Sequence, residues 1–231
     1  LLTIPIAVYI VVLIPSVTIK FVVWTLSKTV YRVRLKGLKN LPEMGGALLV
    51  PNHVTWIDGI LLLLASERPI RMVVFSGNFQ NKIINALGRL FGVIMITPGR
   101  RSVIKALDSA AKALDNGELV CIFPEGALTK SGQIQAFKPG MKKILERCKS
   151  DVPVIPIYLD GLWGSVFSYS EGKYFWKLPR QIPYPVWVHF GKPVSKDAEV
   201  FEYRQAVSQL GAKAVNQRIQ NESQMTCQFI S

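Results

Sequence analysis

ALLVPNHVTWID, residues 47–58, begins as an apolar run and a proline, and then presents a histidine five positions before an aspartate. A strand over the apolar run would end at a loop that carries His53. Asp58 would then lie close enough to fix the tautomer of the imidazole and to stabilise its protonated form, as in a general base. The stretch therefore predicts an active-site loop at the end of a strand.

The same residues also allow a purely structural interpretation. Asp58 precedes the apolar run GILLLLA, residues 59–65, so it could be the N-cap of a buried helix, with His53 a hydrogen-bonded loop residue. A spacing of five places two side chains roughly 140° apart on an ideal helix, so contact requires His53 to lie in the loop or its first turn. This stretch alone leaves both interpretations open.

A second stretch supports the active-site interpretation. The apolar run Val120–Phe123 is followed by a Pro-Glu-Gly corner at residues 124–126, and then by Thr129 and Lys130. Such a corner at a strand end can direct a carboxylate and several hydrogen-bond donors into a cleft. An isolated corner of this kind is usually a simple turn. Its position 72 residues after His53 makes it more specific.

Four motifs in this order resemble those of the glycerolipid acyltransferases of the lysophosphatidic-acid acyltransferase type. They span about residues 30 to 195, and the matching segments are Asn52, His53 and Asp58; Gly92 to Arg100; Phe123 to Gly126; and Val152 to Ile157. The resemblance implies acyl transfer, with Glu125 and Gly126 shaping a substrate pocket. One departure is that Ala127 and Leu128 stand where the family usually has an arginine, so the first cation is Lys130.

Residues 30–37, 51–54 and 57–62 most closely resemble the acyltransferase part of the bacterial bifunctional 2-acylglycerophosphoethanolamine acyltransferase/acyl-acyl-carrier-protein synthetase. This resemblance implies a 2-acylglycerophosphoethanolamine acceptor. It also implies a fused lysophospholipid transporter before the domain and an acyl-carrier-protein ligase after it. It places the active site on the cytoplasmic face of the bacterial inner membrane.

The predicted mechanism assigns a role to each polar residue of these motifs. His53 removes the proton of the acceptor hydroxyl as its oxygen attacks a thioester, and Asp58 stabilises the imidazolium. No serine or cysteine resembles an activated nucleophile beside His53, so we expect direct attack. The predicted substrate-binding residues are Asn52, Arg100, Arg101, Glu125, Gly126, Thr129 and Lys130, with Lys138 a further candidate for the phosphate.

Composition bears on the partners. With 231 residues and a net charge of +13, the chain is long enough for one α/β domain and requires an acidic partner. Nucleic acid would satisfy the charge, but the 49% hydrophobic content and the apolar N-terminus favour an anionic membrane surface. Cys121, Cys148 and Cys227 lack metal-ligand spacing, and His53 and His189 are far apart. We therefore predict no metal and no cofactor, only an acyl-acyl carrier protein or acyl-coenzyme A co-substrate.

Two segments are predicted to contact the membrane. Residues 1–29 are apolar but broken by Pro5 and Pro15, which favours a helical hairpin or interfacial anchor over a simple span. Residues 160–185 interleave aromatic and basic side chains, and beside that N-terminus a membrane-facing loop is favoured over a nucleic-acid surface. His189 lies in a probable strand, where a structural role is the default.

Beyond residue 30, short apolar runs alternate with helical patterns. The pattern predicts strands at 31–35, 47–50, 70–75, 93–96, 119–123, 154–159 and 186–190, and helices at 60–66, 81–90, 102–114 and 141–148. This alternation predicts an α/β fold with a mixed, largely parallel sheet flanked by helices, preceded by the hydrophobic helical membrane anchor. The predicted domain covers 30–220, and 221–231 form a tail or linker.

The sequence thus predicts a membrane-associated acyltransferase that moves a fatty acyl group from a thioester to a lysophospholipid, with 2-acylglycerophosphoethanolamine as the expected acceptor. A lysophosphatidic-acid acyltransferase of phospholipid synthesis is the nearest alternative. Two others stay open: a thioester or lipid hydrolase that uses the same pair to activate water, and a non-catalytic lipid-binding module.

Overall fold

The computed structural model describes residues 25, 29–79, 88, 92–170, 172 and 182–228. The predicted membrane anchor at 1–29 lies almost wholly outside the described residues. The same is true of the predicted helix at 81–90 and of the basic and aromatic residues 173–181. Within the described part of the chain, none of the helices combines the length and apolarity needed to cross a bilayer.

A mixed sheet forms the centre of the molecule. Its strands within the described residues are β1 (Tyr31–Lys36), β2 (Ala47–Pro51), β3 (Ile70–Phe75), β4 (Ile94–Ile96), β5 (Leu119–Ile122), β6 (Val154–Asp160) and β7 (Tyr184–Phe190). Their order across the sheet is β1-β7-β6-β2-β5-β3-β4. Strands β6, β2, β5, β3 and β4 are parallel, whereas β7 is antiparallel to β6 and pairs in parallel with β1. The prediction of a mixed, largely parallel sheet is confirmed.

Helices cover both faces of this sheet. They are α1 (Asp58–Ala65), α2 (Arg100–Asp115), α3 (Gly140–Leu145) and α4 (Val200–Gln228), among the described residues. Strand β2 shows how the two faces are built, because its side chains alternate between them. Leu48 and Val50 belong to a core that includes residues of α2, α3 and α4, whereas Ala47 and Leu49 belong to a second core that includes residues of α1, β1 and β7.

Helix α4 is the main element that the sequence analysis missed. It occupies residues 200–228, so the boundary predicted at residue 220 and the tail beyond it fall inside a helix that continues to Gln228. Tyr203, Val207 and Ala214 are buried at helical spacing, and Tyr203 and Val207 belong to the core of the α2 face. The periodic signal was present, but it is diluted by the polar residues around it.

The topology brings the predicted motifs to one edge of the sheet. Because β2, β5 and β6 are neighbouring parallel strands, their carboxyl ends meet at the same edge. The loop after β2 carries His53, and the loop after β5 carries Glu125. Active sites of α/β proteins lie at this edge.

Candidate active site

His53 and Asp58 are in direct contact. Asp58 is the first residue of α1, and its Oδ2 lies 2.9 Å from His53 Nδ1. The same oxygen accepts hydrogen bonds from the backbone N–H groups of Val54 (2.6 Å) and Thr55 (2.9 Å). The Thr55 hydroxyl donates to the other oxygen, Oδ1. Asp58 therefore organises the loop that precedes the helix as well as the imidazole.

This network determines which imidazole nitrogen can accept a proton. The Asp58 side chain is fully buried, and a carboxylate only accepts hydrogen bonds, so Nδ1 of His53 is the donor between them. The lone pair of Nε2 is then available to take a proton. The His53 side chain is 21% exposed, and its ring stacks on Phe123 with centroids 4.1 Å apart. The ring is thus oriented from two sides and still accessible.

Glu125 connects the two motif loops through backbone groups. Its Oε1 accepts the backbone N–H of His53 at 2.9 Å, and its Oε2 accepts the backbone N–H of Gln135 at 2.9 Å. Burial raises the pKa of this carboxyl, whereas the two backbone donors and the neighbouring His53 act in the lowering direction. Both oxygens are engaged by the protein itself, so the structure gives Glu125 a bracing position.

Asn52 and Thr129 are also turned toward the backbone. The Asn52 amide donates to the carbonyl of Leu159 at 3.3 Å and accepts its N–H at 2.7 Å, which ties the loop to β6. Thr129 donates its backbone N–H to the carbonyl of His53 at 2.9 Å, and its hydroxyl donates to the carbonyl of Gln133 at 2.8 Å. Both residues are buried, and both hold the loop that presents His53.

Gly126 occupies a backbone conformation that favours glycine. Its φ is 69°, and a Cβ added there would lie 2.6 Å from Nζ of Lys138. Lys138 is exposed and donates its backbone N–H to the carbonyl of Pro124 at 2.8 Å. The corner at residues 124–126 therefore carries a lysine that lies directly over its glycine.

The other predicted cations lie at the same edge of the sheet but are exposed. Arg100 and Arg101 begin α2, just after β4, and Lys130 lies in the loop after β5. Because β4 is three strands from β2, Arg100 is separated from the His53 loop by roughly 14 Å along the sheet. The structure brings His53, Asp58, Asn52, Glu125 and Thr129 together, and it leaves these cations around them.

Thr55 was not singled out from the sequence, although a signal existed. Thr55 and Asp58 have the Ser/Thr-x-x-acid spacing of a helix capping box, and the observed bond from the Thr55 N–H to the Asp58 carboxylate is part of that motif. Asp58 is thus not the N-cap that the structural interpretation required. The same carboxylate serves the helix end and the histidine.

The remaining titratable residues have structural environments. Burial raises the pKa of the Cys121 thiol in β5, and it raises that of Cys148 to about 11, so neither is an activated nucleophile at neutral pH. The Cys227 side chain lies outside the described residues. Burial and Lys36 lower the pKa of His189 in β7. Among the described residues, no group of three or more His, Cys, Asp or Glu side chains could hold a metal ion.

Comparison with known proteins finds the same family from several directions. The family described as Acyltransferase matches residues 32–160. The chain is 31% identical over 144 residues to the chloroplastic 1-acyl-sn-glycerol-3-phosphate acyltransferase LPAT1 of Arabidopsis thaliana, covering 62% of this chain and 40% of that protein. It is 32% identical over 180 residues to a 1-acyl-sn-glycerol-3-phosphate acyltransferase of Chlamydomonas reinhardtii, covering 76% and 52%.

A solved structure has the same fold. The 1-acyl-sn-glycerophosphate acyltransferase PlsC of Thermotoga maritima superposes with a TM-score of 0.60 at 22% identity, covering 81% of this chain and 72% of that chain. The chain spans about half or less of the length of the two curated relatives, namely 40% and 52%.

Proposed function

The chain belongs to the acyltransferase family, and we propose that it transfers a fatty acyl group from a thioester to the free hydroxyl of a lysophospholipid. The observation that supports this most strongly is the contact of 2.9 Å between His53 Nδ1 and Asp58 Oδ2, which leaves Nε2 as a proton acceptor. The buried backbone brace around this pair supports the same proposal, because a general base requires a fixed orientation.

The proposed reaction is a single displacement at the thioester carbonyl. The acceptor oxygen forms a bond to the carbonyl carbon while its proton passes to Nε2 of His53, and the buried Asp58 carboxylate stabilises the imidazolium. The carbon–sulfur bond then breaks, and the proton neutralises the departing thiolate. The raised pKa of the Cys121 thiol favours this direct route over an acyl-cysteine intermediate.

We propose 1-acyl-sn-glycerol-3-phosphate as the acceptor. The curated relatives carry this substrate in their names, which favours it over the 2-acylglycerophosphoethanolamine implied by the closest motif resemblance. Arg100, Arg101 and Lys130 are the cations proposed to attract its phosphate, because they are exposed at the edge of the sheet where His53 lies.

The donor and the location complete the proposal. Acyl-acyl carrier protein or acyl-coenzyme A would supply the thioester. The net charge of +13 would hold the domain at an anionic membrane surface, where the acceptor resides.

An acceptor panel tests this function. The purified protein is incubated with a labelled palmitoyl thioester and with lysophosphatidic acid, lysophosphatidylethanolamine or no acceptor. We expect labelled phosphatidic acid, little free palmitate, and a loss of ~10²- to 10⁴-fold in rate for His53→Ala. His189→Gln is the matched histidine control. Free palmitate formed equally fast without acceptor would identify a hydrolase, and a fully active His53→Ala variant would refute the assignment of the base.

A further inference from the structure

A cavity of about 400 Å³ lies beside the His53 loop, between β6, β7 and α4. Its volume is within the usual range for small-ligand sites, roughly 300–1,000 Å³. Aromatic side chains form much of its lining, and these include Tyr158, Trp163 and Trp187. At its polar end are Asp160, the last residue of β6, and Arg218 from α4.

The polar end contains two atoms without a hydrogen bond among the described residues. They are Oδ2 of Asp160 and Nε of Arg218, which lie 3.3 Å apart. The Asp160 side chain is only 5% exposed. Buried polar atoms in folded proteins are nearly always hydrogen-bonded, so an unpaired acceptor and donor facing one cavity indicate a ligand that offers both complementary groups.

The cavity is continuous with the active-site loops. Val54, the residue after His53, lines it. So does Leu159, whose backbone is held by Asn52. Gly132, from the loop that Thr129 ties to His53, packs so closely on Trp163 that a Cβ there would lie 2.7 Å from the indole. A molecule in this cavity would therefore extend toward the imidazole.

The charges of the pair limit the class of ligand. An ammonium group at Asp160 would be repelled by the guanidinium of Arg218, and a phosphate at Arg218 would be repelled by the carboxylate. A neutral amide avoids both penalties, because its N–H can donate to Oδ2 and its carbonyl can accept from Nε. The aromatic walls suit the apolar methylene and methyl groups of a narrow chain.

We propose that this cavity binds the amide-bearing pantetheine arm that coenzyme A and acyl carrier protein share, and so directs the thioester toward His53. This inference rests on the proposed function, since it assigns the donor side of the same site. Asp160 and Trp163 would then be specificity residues for the donor.

The experiment compares donors that differ only in the arm. Palmitoyl-coenzyme A, palmitoyl-acyl carrier protein and palmitoyl-pantetheine all carry the amides, whereas the S-ethyl thioester of palmitate lacks them. The variants are Asp160→Asn and Trp163→Ala. Phe201→Ala serves as the aromatic control, because Phe201 is 66% exposed on α4.

We expect both variants to lose about tenfold or more in kcat/KM with the three amide-bearing donors, the loss typical of one charge-assisted hydrogen bond. Activity with the S-ethyl thioester and the KM for lysophospholipid should stay within about twofold of the unmodified protein. An equal loss with all four donors, or a selective rise in the KM for lysophospholipid, would overturn the proposal. A loss confined to palmitoyl-coenzyme A would also overturn it, because its nucleotide would then be the recognised group.

A binding measurement separates this proposal from the catalytic one. Pantetheine alone is titrated calorimetrically into the His53→Ala protein, and then into the same protein with Trp163→Ala added. Saturable binding that Trp163→Ala abolishes supports the cavity assignment even if His53 is not the base. Binding that is absent, or unchanged by Trp163→Ala, overturns it. Trp163 is 38% exposed, so this variant should fold even if Asp160→Asn does not.

Discussion

Glu125 accepts a hydrogen bond of 2.9 Å from the backbone N–H of His53, although 72 positions separate the two residues in the chain. Its other oxygen accepts the backbone N–H of Gln135 at the same distance. One buried carboxylate therefore fixes the loop after β2 against the loop after β5. The position of the imidazole depends on this brace as well as on Asp58.

Replacing Glu125 by glutamine should loosen the brace. Glutamine has one acceptor oxygen, so one of the two backbone N–H groups would face an NH₂ group instead. We expect Glu125→Gln to lower the free energy of unfolding by about 1–3 kcal/mol and to lower kcat. Urea denaturation and initial rates measure both, with the exposed Glu146→Gln as control. Unchanged stability and kcat would show that the brace is dispensable.

The same carboxyl should make stability depend on pH. Burial raises the pKa of Glu125 above its ordinary value of 4.5, so the folded state holds this proton more tightly than the unfolded chain does. The stabilisation from the proton is complete below about pH 4.5 and is lost as pH rises through the raised pKa. The stability of the unmodified protein relative to Glu125→Gln should therefore fall with rising pH in that window. Urea midpoints at a series of pH values test the sign, and a rising difference would contradict it.

The sequence predicted the strands that bear the site because their apolar runs are short, continuous and bounded by proline or glycine, as at residues 47–51 and 119–126. It predicted the proximity of His53 and Asp58 because both belong to one loop. It did not predict that Glu125 and Asn52 bind backbone groups, since those partners depend on the order of β5, β2 and β6 in the sheet. Helix α4 was missed because its buried positions are separated by many polar ones.

Gly126 offers a test of the corner after β5. Alanine at a φ of 69° is strained by roughly 1–2 kcal/mol, and its Cβ would also displace the Lys138 side chain. Gly45→Ala is the matched control, because Gly45 has a φ of 83° and nothing within 4 Å of its Cβ position. We expect similar losses of stability in both variants, but a loss of activity in Gly126→Ala alone. Equal activity in the two variants would show that the corner does not contribute to the site.

The exposed cations should act on the acceptor and not on the donor. Lys130→Ala and the double variant Arg100→Ala/Arg101→Ala should raise the KM for lysophosphatidic acid while leaving the KM for the thioester unchanged, because each removes positive charge at the sheet edge. The KM in the unmodified protein should also rise with ionic strength, since exposed charges are screened by salt. Lys39→Ala, an exposed cation in the loop between β1 and β2, is the control. A rise confined to the donor KM would assign these cations to the other substrate.

The Thr55 hydroxyl should matter for catalysis through Asp58. It donates to Oδ1 of that fully buried carboxylate, and Thr55 itself is completely buried. Thr55→Val keeps the shape but leaves Oδ1 without this donor, so we expect a loss of about 1.5–3 kcal/mol in stability and a fall in kcat. Thr55→Ser retains the hydroxyl and should keep most of the activity, which separates the hydrogen bond from packing. Melting temperatures identify variants that fail to fold, and kcat at saturating substrates is the decisive measurement. If the valine and serine variants have the same kcat, the hydroxyl does not support the pair formed by His53 and Asp58.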